Sequence, residues 1–310
     1  MAEVTILLAT YNGSEFIRQQ VDSVLAQTFS NFRLILSDDG SADDTPEILA
    51  SYARECPDRI THYRSGQRFG CAQTHFMHLL QQFHDTPYIM FCDQDDVWHP
   101  DKVEKTLRKI QSLESDPATP VLVHTDLRVV NNDLQETAPS FCKLSNLDGN
   151  RMALRHLIVQ NVITGCTVML NRALAELACR QPTPKGLLMH DWWLAILAAS
   201  IGKTGFLDEA TIDYRQHVNN SVGAKDALSP AYLWKRFAAR DSRKVLRGTA
   251  LQTQLFLQQY RDILDPAKRT LLEDYASTAD APKLKRIYIY LKHRTFKYGI
   301  IRVVAQLLGG

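Results

Sequence analysis

The chain has 310 residues, enough for one large α/β domain or for one domain with a smaller helical extension. Apolar residues make up 45% of it, so a core can be buried, and a net charge of +2 gives no electrostatic reason to expect nucleic acid as a partner. The six cysteines (Cys56, Cys71, Cys92, Cys142, Cys166 and Cys179) include no Cys-x-x-Cys pair and no Cys/His cluster of zinc spacing, and they suit thiols in a reducing compartment.

The N-terminus carries neither a basic nor a long apolar leader, and no stretch reaches the ~18 uninterrupted apolar residues of a membrane span. A cytoplasmic chain is the expectation. Val4 to Ala9 reads as a buried strand. A turn at Asn12-Gly13 follows, with Ser14 as candidate N-cap of a helix carrying Phe16, Ile17, Val21, Val24 and Leu25. Phe32 to Leu36 is a second strand, Thr45 to Arg54 a helix with Pro46 in its first turn, and Ile60 to Tyr63 a short strand. Ala72 to Phe83 reads as helix and Tyr88 to Cys92 as strand, and Pro100 opens a helix with Val103, Leu107 and Ile110. Val121 to Val130 is another strand, followed by a loop-rich stretch to about Gly149. Beyond it the pattern gives a helix near Met152 to Val159, a strand Thr164 to Leu170 and a helix from Met189 through Ala198. Short strands at Phe206 and Ile212 to Arg215 come next, and beyond about Ser229 the pattern is helical. The alternation predicts an α/β fold with a mostly parallel sheet, in which ligands bind beyond the carboxyl ends of the strands.

Polar clusters stand at those ends. Asp93-Gln94-Asp95-Asp96 leaves an apolar strand directly, and carboxylates so spaced can bind Mn²⁺ or Mg²⁺ and neutralise a diphosphate. A solvated acidic turn capping the next helix would look the same. Asp38-Asp39-Gly40-Ser41 can offer a carboxylate to a pyrimidine imide, or can simply be a turn. Thr10-Tyr11-Asn12 offers an aromatic face for a base, or a plain strand end and helix cap.

Thr10-Tyr11-Asn12, Gln27-Thr28-Phe29, Asp38 to Ser41 and the Asp93–Asp96 run ending in Trp98-x-Pro100 occur in an order and at separations that resemble the family 2 glycosyltransferases of GT-A fold. The resemblance covers roughly the first 220 residues. Ala9 to Gly13 together with Asp93 to Trp98 is similar to bacterial rhamnosyltransferases of cell-wall and O-antigen polysaccharide assembly.

The resemblance implies a nucleotide-diphosphate sugar as donor and a saccharide acceptor, in this subgroup a lipid-linked one. Thr10, Tyr11, Asn12, Asp93, Gln94 and Asp96 would line the donor site, and Asp38 would read the imide. Asp95 and His217 would hold Mn²⁺ or Mg²⁺. Arg68 would touch the diphosphate, Arg215 the leaving group, and Gly165 would shape the pocket. Asp191, in His190-Asp191-Trp192-Trp193, falls where the family carries its base, although His190 replaces the usual Glu; Trp192 and Trp193 are candidates for the acceptor side. An Asp at a helix start is also an N-cap, and paired tryptophans on a helix are also core.

From Lys283 to Arg302 the chain has seven basic residues (Lys283, Lys285, Arg286, Lys292, Arg294, Lys297 and Arg302) and no acid. Leu284, Ile287, Tyr288 and Leu291, then Ile300, Val303, Val304 and Leu307, fall at helical spacing. Such helices can lie on an anionic membrane surface, here the inner face of the cell membrane, or can pack on the catalytic domain or in a homodimer. The expected division is a catalytic domain over 1–225, with 1–120 on the nucleotide side and 121–225 on the acceptor side, and a helical region over 226–310. A nucleotidyltransferase would carry a Gly-rich phosphate loop after the first strand, which Ala9 to Gly13 is not. A non-catalytic sugar-binding protein on the same fold would not need Asp38, Asp93, Asp95 and Asp191 together.

Overall fold

A computed structural model describes residues 2–216 and 239–309. Its centre is a nine-stranded sheet of order β3-β2-β1-β4-β8-β6-β9-β5, with β7 on the outer side of β6. β1 (Val4–Thr10), β2 (Phe32–Asp38), β3 (Ile60–Tyr63) and β4 (Tyr88–Cys92) pair in parallel, joined by α1 (Ile17–Leu25), α2 (Thr45–Glu55) and α3 (Ala72–Gln82). Alternate residues of β1 feed two cores: Leu7 faces the one under α3, and Ile6 and Leu8 face the one under α1 and α2. β5 (Val97–Trp98) leads into α4 (Lys102–Leu113), two residues after the expected opening at Pro100.

The second half mixes directions. β6 (Val121–Val130) pairs parallel with β9 (Lys203–Arg215), and β8 (Met169–Asn171) runs antiparallel to both β4 and β6. β7 (Glu136–Ala138) and the single-turn helix α5 (Phe141–Leu144) punctuate the loop-rich stretch.

Several sequence expectations change here. The strands at Phe206 and Ile212 to Arg215 are one strand, because the polar Asp208-Glu209 pair bulges out, shifting the register at Thr125/Asp126, and the ladder then resumes. The expected strand Thr164 to Leu170 begins as a 3₁₀ turn. The Thr167 hydroxyl and amide both donate to the Thr164 carbonyl, at 2.6 and 2.9 Å, so the backbone turns before it can extend. The helix near Met152 to Val159 shortens to α6 (Leu154–Leu157). α7 (Arg172–Cys179), capped by Asn171, was not expected at all. Ser14 does not cap α1; its amide donates to Asp43, and Phe16 takes the cap position without a side-chain bond.

α8 (His190–Ile201) is buried nearly all round, as its unbroken apolar sequence requires. The C-terminal helices are α9 (Ala239–Tyr260), α10 (Pro266–Ala276), α11 (Lys283–His293) and α12 (Ile300–Gly309); α8 packs on the first through Trp193, and Lys268 of the second donates to the Ser200 carbonyl at 2.8 Å. Trp193 meets Phe256 and Tyr260 edge-on or tilted, and one apolar cluster runs from β1 to Tyr275 and Tyr290. The expected boundary at residue 225 lies outside the described residues. The helices beyond it share a core with the sheet. All six cysteines are free, and among the described residues no helix is long and apolar enough to cross a membrane.

Candidate active site

Parallel pairing sets Thr10 beside Asp38 and Leu8 beside Cys92, so the polar runs that follow β1, β2 and β4 leave the sheet at one edge. They are tied to one another by side-chain amides and carboxylates. Gln94 Oε1 accepts from Thr10 Oγ1 at 2.6 Å and from the Tyr11 amide at 2.8 Å, and its Nε2 donates to the Tyr11 carbonyl at 3.2 Å. The approach is close enough that a Cβ at Gly13 would stand 2.5 Å from Gln94 Oε1. Asn12, at a left-handed φ of 49°, accepts from the Ala42 amide and donates its own amide to Ser41 Oγ. It stitches the first turn to the second.

Asp38 accepts from the Gly40 and Ser41 amides and from the Ser41 hydroxyl, within its own turn. Asp39, which sequence reasoning did not single out, is buried and takes the Phe69 and Gly70 amides. It thereby fixes the loop that carries Arg68. The Arg68 guanidinium donates to the Tyr11 hydroxyl at 2.7 Å and lies over its ring at 5.0 Å. Tyr11 is half exposed and closes one side of the crevice.

The acidic turn is tighter than its sequence suggests. Carboxylate oxygens of Asp93 and Asp96 and the Cys166 sulfur all lie within 4.8 Å of one another. Asp95 is not in that group. Asp96 is fully buried; one of its oxygens takes the Arg215 amide at 3.3 Å and the other has no hydrogen-bond partner. Burial first, then the charge of Asp95, pushes both Asp93 and Asp96 up from the ordinary carboxylate value; the charge of Asp191 adds to the effect on Asp93, and that of Asp93 to the effect on Asp96. Burial also raises the Cys166 thiol, which stays protonated and is a poor ligand for a hard cation. The carboxylates do fit one: a divalent ion supplies the opposite charge that holds them ionised.

Arg215 is fully buried. Its guanidinium donates to the carbonyls of Asp95 and Asn132 and to Gln19, and lies 4.5 Å from the centre of the Phe16 ring. It braces the acidic turn from beneath. His217 lies outside the described residues.

Asp191 stands in the first turn of α8, buried, with one oxygen taking the Trp192 amide at 2.7 Å and the other Asn161 Nδ2 at 3.5 Å. Burial outweighs those bonds and pushes its pKa up to about 6. The neighbouring His190 makes no hydrogen bond. Its ring is packed between Phe76 and Phe91, and burial drives its pKa down to about 3, so it is neutral. Gly165 covers that ring: a Cβ there would stand 2.9 Å from His190 Nε2. Trp192 and Trp193 turn into the core. The Trp192 indole donates to the Leu157 carbonyl, Trp193 is 1% exposed, and neither presents a face to a sugar.

Known proteins resemble this chain in family and fold. The profile described as Glycosyl transferase family 2 matches residues 5–178. A dTDP-rhamnosyl transferase of Shigella flexneri is 27% identical over 233 residues, covering 73% of this chain and 76% of that one. A Nostoc protein named only as a glycosyltransferase is 25% identical over 73% of this chain and 69% of its own. Staphylococcus aureus TarS 1-349 in complex with UDP-GlcNAc superposes with a TM-score of 0.58 at 16% identity, over 94% of this chain and 80% of that one. The Pyrobaculum calidifontis mannosyltransferase in complex with GDP-Man and Mn²⁺ does so at 0.56 and 16%, over 93% and 73%. At such identities the structures establish a shared fold, the GT-A fold.

Proposed function

The chain belongs to glycosyl transferase family 2, and from that premise we propose that it is an inverting, metal-dependent transferase that moves L-rhamnose from dTDP-rhamnose to a lipid-linked polysaccharide at the inner face of the cell membrane. That it is a glycosyltransferase follows from the family; the sugar rests on the Shigella relative's name and on the Ala9 to Gly13 and Asp93 to Trp98 motifs. The observation that carries the mechanism is the meeting of the acidic turn and the start of α8, close enough that the charge of Asp191 bears on Asp93.

In this reading residues 1–120 hold the nucleotide, with Tyr11 and Asp38 at the base end and Arg68, bonded to the Tyr11 hydroxyl, toward the diphosphate, and residues 121–225 present the acceptor to Asp191. The buried carboxylate takes the acceptor hydroxyl proton as that oxygen attacks the anomeric carbon and the nucleoside diphosphate leaves. Mn²⁺ or Mg²⁺, held by the Asp93–Asp96 turn with Asp95 and His217 as the ligands the resemblance implies, would neutralise the diphosphate. A value near 6 suits a base that must be ionised at neutral pH yet still attract a proton. Asn161 and the Trp192 amide hold the carboxylate in place.

The test is hydrolysis and transfer across a panel of dTDP-, UDP- and GDP-sugars with Mn²⁺. Turnover of dTDP-rhamnose above the others is the expected result. Preference for a UDP-sugar would move the specificity, and donor binding without any turnover would leave a sugar-binding protein.

A further inference from the structure

The basic tail does not behave as its sequence suggests. Arg286 is buried and donates to the Ala281 carbonyl, Lys292 pairs with Asp274, and buried Arg302 donates to the carbonyls of Ser145 and Asn146. These cations fasten the C-terminal helices together and onto the catalytic half. The apolar stripe does the opposite. Leu284, Tyr288 and Leu291 on α11 are 82%, 63% and 60% exposed, and Ile300 and Leu308 on α12 are 84% and 62% exposed. Lys283 Nζ donates to the Leu308 carbonyl at 3.0 Å and ties the first turn of α11 to the end of α12.

Between these helices and α6 lies a cavity of about 540 Å³ lined by Arg151, Arg155, Arg294, Tyr298, Ile300 and Val304, among others. Arg151 is built in. It donates to the Phe296 carbonyl at 2.6 Å and to His156 Nδ1 at 2.7 Å, and lies over Tyr298 at 5.6 Å. Arg155 and Arg294 are exposed and make no ion pair among the described residues. After burial, the positive charges of Arg151 and Arg155 are what lower His156, to about 4, with Asp148 the one acid acting against them. The lining is almost wholly apolar, with the exposed cations Arg155 and Arg294 beside it, the arrangement that an anionic amphiphile complements.

We propose that this cavity and the adjoining α11–α12 face form a docking site for an anionic phospholipid bilayer, in which Arg151, Arg155 and Arg294 receive a headgroup phosphate and Ile300, Val304 and Leu308 enter the interface. Two of these arginines belong to α6 and the turn before it, in the catalytic half. The chain that leaves α6 at Leu157 reaches Asn161, which donates to Asp191 at 3.5 Å, so one short segment links the docking site to the proposed base. The inference rests on the reading of a lipid-linked acceptor for its purpose, but not for its geometry.

The experiment is co-sedimentation of the full chain with vesicles of phosphatidylcholine alone and of phosphatidylcholine mixed with phosphatidylglycerol, at low and high salt. Wild type should pellet only with the anionic vesicles and be released by salt. Arg155→Gln/Arg294→Gln should partition about 30-fold more weakly, and Ile300→Glu should pellet less even at low salt, both with unchanged melting temperature. Unaltered partition of both variants, or no partition of wild type, overturns the proposal. So does a thermal shift with inorganic phosphate accompanied by no vesicle binding, which would assign the cavity to a free anion, or a dimer in light scattering that Ile300→Glu dissociates and vesicles do not, which would assign the face to a second copy. Donor hydrolysis in vesicle-free buffer should be the same in wild type and in Arg155→Gln/Arg294→Gln. Its absence in wild type would sink the transferase reading while leaving the vesicle result standing.

Discussion

The two sides of the crevice are built by opposite means. On the side proposed to hold the nucleotide, polar groups are tied to one another: Gln94 to Thr10 and Tyr11, Asn12 to Ser41 and Ala42, Asp39 to the loop of Arg68. On the catalytic side, groups are kept short of partners. His190 has none, and Asp191 sits in an apolar shell with few. Dense bonding fixes geometry, which recognition of a rigid nucleotide needs. Scarce solvation raises basicity, which proton transfer needs. The acidic turn lies between the two and shares both characters, since Asp96 has one oxygen bonded and one without a partner.

That contrast breaks most visibly at Asp191. Asp191→Asn keeps the shape and removes the base, and transfer should fall about 10³-fold while calorimetry finds donor affinity unchanged; full turnover would remove Asp191 from the chemistry. At the shared turn, Asp96→Ala and Asp95→Ala should each weaken Mn²⁺-dependent donor binding, by about 10- to 100-fold. Their ranking decides whether the buried oxygen without a partner or the residue implied by resemblance is the main ligand.

The pH profile comes next in size. The base works ionised, so kcat/KM should be level above about 6 and fall about tenfold per unit below it, as Asp191 gains its proton. A profile flat to pH 5 would contradict a raised Asp191. Gly165→Ala sharpens the apolar side, because its methyl would press on His190 Nε2, a ring with no room between Phe76 and Phe91. Thermal unfolding should show a loss of about 1–3 kcal/mol, with kcat reduced through Asp191 beside it. The smallest effect belongs to the bonded side. Gln94→Ala removes bonds worth about 1–2 kcal/mol together, and should raise KM for the donor several-fold with kcat nearly constant.

Much of this was readable in the sequence, and the reason is local. β1 to β4 and β6 declare themselves as apolar runs of β-formers ended by polar turns, and an α/β fold with a mostly parallel sheet follows from their order, the GT-A fold being what the motif resemblance implied. The candidate residues at strand ends were legible because parallel sheets place ligands there. What was hidden depends on contacts distant in sequence. Gln94 reads as a residue lining the donor site, and that it ties the acidic run to a turn 83 residues away shows only once its amide is found there. Asp39 looks like a duplicate of Asp38 until the Phe69 and Gly70 amides are seen to point at it. Gly165 reads as a small residue in a strand, and only the buried His190 ring explains it. α7 was missed, and the paired tryptophans of α8 were candidates for a sugar platform where the structure has core, because helix direction in three dimensions is not written in periodicity when every face is apolar.

Gln94 has a further consequence. It sits inside the run that would hold the cation, and its one amide both accepts from and donates to the backbone of Tyr11, at the opposite end of the donor. If the acidic turn takes up the ion and Tyr11 stacks the base, as proposed, a displacement of the turn would be passed through Gln94 to Tyr11, and a base stacked there would bias the turn in return. The two ends of a donor molecule would not bind as independent parts. By reciprocity, whatever factor the ion contributes to nucleotide affinity, the nucleotide must contribute to ion affinity, and Gln94 is one side chain placed to carry that exchange.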